Sequence, residues 1–290
     1  MSEARERPPA AWGPDACRAA VSVTFDNLGE AADLERGLWP EGEPLGRHFS
    51  VKRALPRILE MLEELGLRAT FFVEGLNAEL YPEALLEIAN ARHELGLHGW
   101  RHEYWPDLRP SDEARALERS VYKMREIGIQ PRAFRPPGGR LTCISPGLLA
   151  DFGFTHCSPA GSGIGLLEDL VVLPFRWRLL DAYYYLPRFG GLRKTFTGSG
   201  EPMSPVRFRE EIRSALEGAA RDGGHLSLVF HPFLEDQEDR VEVMRTVLQE
   251  LRVLVEDRTV WCAPHRDLAS WTRIHPGGFV NSLKLDPTEA

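Results

Sequence analysis

The sequence predicts an α/β fold: a closed barrel of seven or eight mostly parallel strands with helices around it. Strand-like runs alternate with helix-like ones along the whole chain, and no linker divides them. That alternation implies parallel neighbours joined by helical crossovers. The segment after the first strand, Asp26-Asn27-Leu28-Gly29, lacks the spaced glycines of a nucleotide-binding turn, which weakens the alternative of an open doubly wound sheet. Polar residues also recur where predicted strands end, and the carboxyl ends of barrel strands are where reactive side chains collect.

Taken in order, Ala20–Phe25 alternates and is rich in β-branched residues, the mark of a strand. Residues 31–49 read as a loop with one turn of helix. Ser50 is the expected N-cap of a helix Val51–Leu65, stopped by Gly66 and disturbed by Pro56. Arg68–Val73 is the second strand, Pro82–Ala91 a helix and Glu94–Leu97 a short third strand. Ser111–Ile127 is a strongly periodic amphipathic helix ended by Gly128. Arg132–Arg135 is a fourth strand, Pro146–Phe152 a helix and Gly153–His156 a fifth strand. Beyond these come a loop at Gly161–Gly165, a strand at Leu170–Pro174 and the aromatic-rich run Trp177–Leu186. Pro205 opens a helix to Arg221. Leu226–Phe230 is a strand, 236–256 a long helix, Thr259–Ala263 a strand and Asp267–Trp271 a short helix. Residues 1–18 are expected to form a flexible arm, 19–275 a single barrel domain, and 276–290 a tail.

With 35 basic and 43 acidic residues the net charge is −8, which argues against binding to nucleic acid or to an anionic membrane surface. No run approaches 18 apolar residues, so no membrane span is expected. Met1–Pro14 has no apolar core of a signal peptide, and the four cysteines form no CxxC pair. Both point to a cytoplasmic protein with free thiols.

Chemistry is concentrated in Glu94–His102, where His98 and His102 stand four residues apart. That spacing puts both rings on one face of a helical turn, within reach of one ion. Asp26 and Asn27 end the first strand, Arg135 the fourth and His231 a late one, and Asp181 follows the Leu170–Pro174 strand. In a barrel all of these open onto one face. Plainer readings exist: Asp26 as a turn cap, Asn27 closing an Asx-turn, Arg135 in a structural ion pair, His231 as a core histidine. Trp100, Tyr104 and Trp105 are pocket wall or core, and Tyr183-Tyr184-Tyr185 is equally open.

These pieces resemble the polysaccharide deacetylase superfamily, also called the NodB-homology or carbohydrate esterase family 4 group. The first motif, T-F-D-D, is present as Thr24-Phe25-Asp26-Asn27, and the second, H-[S/T]-x-x-H, as His98-Gly99-Trp100-Arg101-His102. Arg135, Pro137 and Gly139 fit R-x-P-x-G at full spacing. Trp177 and Asp181 carry the fourth motif in reversed order, and the fifth, L-x-L-x-H, holds Ser227 and Val229 at its leucine positions before His231. The resemblance spans about residues 20–265 and implies a distorted (β/α)7 or (β/α)8 barrel.

It further implies Asp26 as general base, Arg135 orienting that base, His231 as general acid and Asp181 as a further catalytic residue. Asn27, His98 and His102 are implied as ligands of a divalent metal, zinc foremost, with cobalt or nickel also suited. Hydrolysis of an N-acyl bond needs an activated water and a proton for the leaving amine, which a metal, a carboxylate and an imidazole supply. Asn27 departs from the pattern by offering a neutral oxygen where the family has an anion. Three outcomes are open: Asn27 ligates weakly and activity survives, Glu30 or Asp26 supplies the anionic ligand, or the site is metal-free and the protein is inactive or does related chemistry. The expected protein is a metal-dependent hydrolase of a non-peptide C–N bond in an N-acetylated sugar or small amide. Its partner would be a small-molecule or oligosaccharide substrate, and a homo-oligomer is left open. The alternatives are a non-catalytic carbohydrate-binding protein and a cyclic-amide hydrolase without tightly bound metal.

Overall fold

A computed structural model describes residues 11–276 and 282–285 of the 290-residue chain. Nine strands form one sheet: β1 (Ala19–Asp26), β2 (Ala69–Val73), β3 (Glu94–Leu97), β4 (Ala133–Phe134), β5 (His156–Cys157), β6 (Gly165–Leu167), β7 (Leu170–Val172), β8 (Gly224–Phe230) and β9 (Val260–Cys262). Their order is β6-β7-β5-β4-β3-β2-β1-β8, with β9 also on β1. Every pairing is parallel except the β6–β7 hairpin.

The sheet curls into a distorted barrel. Arg135, directly after β4, donates to Thr24 on β1 and to Ser227 on β8, strands that lie three and four places away in the sheet. A flat sheet could not bring them together. The seam near β8 is bridged by a single parallel pair, Leu180 with Val229.

Alternation along the strands explains how a barrel comes to have a polar interior. On β1, Val21, Val23 and Phe25 are buried in the apolar core cluster that also holds Met244, Val247 and Leu248 of the helix Glu238–Glu256. Ser22, Thr24 and Asp26 take the opposite face. The register pairs Ser22 with Ser227, so Ser227 shares the inward face. Buried polar residues there satisfy one another: Thr70 donates to Glu94, and Glu94 meets His156 at 2.9 Å. Gly96 is required at its place, because a Cβ would stand 2.7 Å from the Phe72 ring that fills the space under Arg135.

Several expected elements are displaced. Ser50 does not cap a helix: Ser50–Ala54 is a π-helical turn, and the regular helix Leu55–Glu64 begins one residue before Pro56. Placing Pro56 in the first turn avoids the lost hydrogen bond it would cost further in. The Ser50 hydroxyl instead accepts from the Gly29 amide. The fifth strand is confined to His156–Cys157, and the helix Gly190–Thr197 and the β6–β7 hairpin were not foreseen. Residues 11–18 are no loose arm: Trp12 is 1% exposed and pairs with Cys17. Residues 1–10, 277–281 and 286–290 of the expected arm and tail lie outside the described residues. Among the described residues no helix is long and apolar enough to cross a membrane.

Candidate active site

The carboxyl ends of β1, β3, β4 and β8 open on one cavity of about 450 Å³. Asp26, Asn27, His98, His102, Arg135 and His231 all line it, so six of the seven expected site residues converge there. The seventh, Asp181, lies behind His231.

Asp26 is 3% exposed, and its Oδ1 accepts from Arg135 Nη1 at 2.6 Å. Burial works against the Arg135 charge, and the Asp26 carboxylate works to keep it. Ser158 and Ser227 accept further hydrogen bonds from the same guanidinium, and the rings of Phe72 and Phe175 stand 4.2 and 5.0 Å from it. The serine that replaces the fifth motif's leucine is thus a holder of Arg135. Among the described residues no protein group takes Asp26 Oδ2, which is left to the cavity.

His231 is fixed from behind. Its Nδ1 lies 2.5 Å from Asp181 Oδ1, and its backbone amide donates to Oδ2 at 2.8 Å. Burial pushes the Asp181 carboxyl well above its usual range and the His231 ring down to about 3, so both groups favour their neutral forms. One proton lies between Oδ1 and Nδ1, and His231 turns its other edge to the cavity. Asp181 acts through His231 and does not itself line the cavity, which makes it a positioning residue.

The second motif is not a helical turn. Gly99 and His102 both adopt left-handed backbone, with φ of +74° and +71°, and a loop brings the two rings edge to face at 4.8 Å. His98 Nδ1 is 2.7 Å from the Arg135 carbonyl, so Nδ1 donates and Nε2 keeps a free lone pair. Burial lowers the His98 ring to about 4 and the His102 ring well below its usual value, so both are neutral near pH 7. Arg36 Nη2 donates to His102 Nδ1 at 3.3 Å, which leaves the His102 hydrogen on Nε2. A metal needs lone pairs, and this pair of rings offers one.

Asn27, at φ +61°, keeps its side-chain oxygen buried without a hydrogen-bond partner. Glu30 cannot replace the missing carboxylate: Tyr81 donates to one of its oxygens at 2.5 Å and the Gly46 amide to the other at 2.6 Å. Asp26 gives Oδ1 to Arg135 and has only Oδ2 left for the cavity. Among the described residues no group of three or more His, Cys, Asp and Glu comes together as a metal cluster. The donors present therefore do not fit a tightly held divalent ion. The expected ligands Asn27, His98 and His102 do share the cavity, but one ring faces a guanidinium and the third donor is neutral.

The sequence also left Glu74 unnoticed, although it directly follows β2. It is fully buried, with one carboxyl oxygen unpartnered and the other accepting from the Leu28 amide at 3.4 Å and from Asn77 Nδ2 at 3.0 Å. Burial, then the Asp26 charge, push it from 4.5 up to about 8, against its backbone hydrogen bonds and Arg36. A raised carboxyl gives stability that is complete below its unfolded value and is lost as pH climbs to the folded one. Glu74→Gln removes that loss. Its melting temperature is expected to gain on the natural protein's as pH rises from about 5 to about 8, at ~1.4 kcal/mol per pH unit. A difference that stays constant over that range would show Glu74 ionised in the fold.

The remaining wall is aromatic and cationic. Tyr104 (56% exposed), Phe175, Trp177 and Phe189 line it, with Arg36, Arg140 and Arg188. Trp100 and Trp105 are core: the Arg119 guanidinium sits 3.7 Å from the Trp100 ring centre, and Trp105 donates to Ser145. Tyr183, Tyr184 and Tyr185 are likewise buried.

Residues 15–156 match the family model described as Polysaccharide deacetylase. Over that stretch the chain is similar to the polysaccharide deacetylase family. This family match includes Asp26, Asn27, His98, His102 and Arg135, whereas Asp181 and His231 lie beyond it. Among curated relatives, a peptidoglycan-N-acetylglucosamine deacetylase of Bacillus cereus is 35% identical over 129 residues, 43% of this chain and 38% of that protein. The chain covers only 34–39% of the length of the first curated relatives it matches. Crystal structures that cover almost all of it include two of note. One is a protein from Mycobacterium smegmatis provisionally named a polysaccharide deacetylase, with a TM-score of 0.77 and 28% identity over 97% of both chains. The other is an allantoinase, with a TM-score of 0.72 and 17% identity over 94% of this chain and 96% of that one, a likeness of fold alone.

Proposed function

We propose that the protein hydrolyses a non-peptide C–N bond in a small amide, cyclic amides included, using Asp26 and His231 without a tightly held metal. The observation that carries this reading is the survival of both proton-handling pairs, Asp26–Arg135 and His231–Asp181, on one cavity whose metal donors are incomplete. The cavity volume of about 450 Å³ lies in the range of small-molecule sites.

Asp26 Oδ2 takes a proton from water as the water oxygen bonds to the amide carbon. His231 delivers the proton on Nε2 to the nitrogen as the C–N bond breaks. Between cycles Asp26 releases its proton to water and His231 takes one back, while Asp181 holds the ring in place. The cationic lining favours the negative charge that develops on the carbonyl oxygen.

Hydrolysis of a panel of cyclic ureides, cyclic imides and N-acetylated amines and sugars, followed by acid or amine release, tests this. Turnover of at least one small amide is expected to persist in excess chelator. Turnover that disappears with chelator and returns with zinc or cobalt would overturn it in favour of the metal-dependent reading. Asn27 supports a second reading, a barrel that binds carbohydrate and does no chemistry. Saccharide binding with no turnover of any amide would favour it.

A further inference from the structure

The cavity is cationic in an acidic chain. Four arginines line it, Arg36, Arg135, Arg140 and Arg188, against one carboxylate, Asp26, in a protein of net charge −8. Asp26 answers Arg135 and no other. Among the described residues the other three have no carboxylate partner: Arg36 donates only to the neutral His102 ring, and Arg188 lies over the Phe189 ring at 5.4 Å.

Arg36 and Arg188 come from different segments, after β1 and before the helix Gly190–Thr197, and both line the same cavity as His102. Burial and then Arg36 work against the Arg188 charge, while Asp33 and Asp181 work to keep it. Four guanidinium groups lining one cavity with a single, already paired carboxylate draw an anion into it. Asn27 points the same way. A carboxylate at that position would repel an anion, and an amide does not.

We propose that Arg36 and Arg188 form a carboxylate-binding subsite, so that the preferred substrate is a small amide bearing a carboxylate beside the bond to be cut. The subsite stands at His102, within the same cavity as Asp26 and His231. Guanidinium groups suit it because their planar donors match a carboxylate with two hydrogen bonds. This inference names the substrate class of the reaction proposed above and rests on that reading for the chemistry, but not for the binding.

Calorimetric titration with N-acetylglycine and N-acetylglycinamide, which differ by one charge at nearly equal size, tests the binding directly. N-acetylglycine is expected to bind at least about tenfold more tightly. The preference should shrink as salt rises from ~0.05 to ~0.3 M and vanish in the double variant Arg36→Gln/Arg188→Gln. Arg36→Lys in the natural background should recover part of what Arg36→Gln loses. Circular dichroism melts confirm that the variants fold. Equal affinity for the two probes, binding of neither, or an undiminished preference in the double variant would overturn the subsite. Preferential carboxylate binding with no amide turned over would sink the catalytic reading and leave the subsite standing. Turnover of neutral amides that is indifferent to added charge would do the reverse.

Discussion

Asp26→Asn is expected to lower turnover of the best small amide by about 10²–10⁴-fold, the usual contribution of a positioned general base. The substitution keeps an oxygen for Arg135 Nη1 to donate to, so the 2.6 Å contact survives in a weaker form. It also leaves a fully buried guanidinium without the one carboxylate that pairs with it among the described residues, and such a loss costs ~3–5 kcal/mol. Both effects must be read together. Rate constants are to be measured well below the variant's melting temperature and normalised to folded protein. If normalised kcat falls less than about tenfold, Asp26 serves to hold Arg135 and the proton acceptor is elsewhere. His231→Gln supplies the control, because it removes the proton donor and leaves the Asp26–Arg135 pair untouched. A comparable loss of kcat is expected, without the Arg135 penalty.

Much of this site could be read from the chain because barrel geometry turns sequence position into spatial position. Asp26, His98, Arg135 and His231 each sit at or just past a strand's carboxyl end, and the parallel register carries all four to one face. What escaped reading depends on loops. Arg36 and Arg188 belong to segments without periodicity, and nothing in their neighbours' chemistry says that two loops meet over His102. Glu74 obeys the strand-end rule and could have been found by it. The tautomers were beyond the sequence as well: spacing of four suggested a shared ion, while the left-handed residues Gly99 and His102 and the Arg36 donor make the two rings unequal. The short strands β4 and β5, two residues each, are bounded by tertiary contacts and not by propensity.

Asn27→Asp is expected to raise zinc affinity by at least about tenfold, ~1.4 kcal/mol, in equilibrium dialysis with elemental analysis. The Asn27 side-chain oxygen is already buried and unpartnered, so a carboxylate there would have nothing else to satisfy it. The added anion supplies the charge that two neutral imidazoles lack, and oxygen is an ordinary zinc ligand beside them. Arg36 sets the size of the effect. Its hydrogen bond must leave His102 Nδ1, or the ring must give up its Nε2 proton, before that ring can ligate. Removing Arg36 in the Asn27→Asp background should therefore strengthen zinc binding further, whereas removing it from the natural protein should do little. Binding should also strengthen with pH, since ligation displaces protons. If the natural protein retained one zinc per chain through purification and dialysis, the donors described here would be sufficient as they stand. The Asn27 amide would then be a working ligand, and the metal-free chemistry proposed above would be the wrong account.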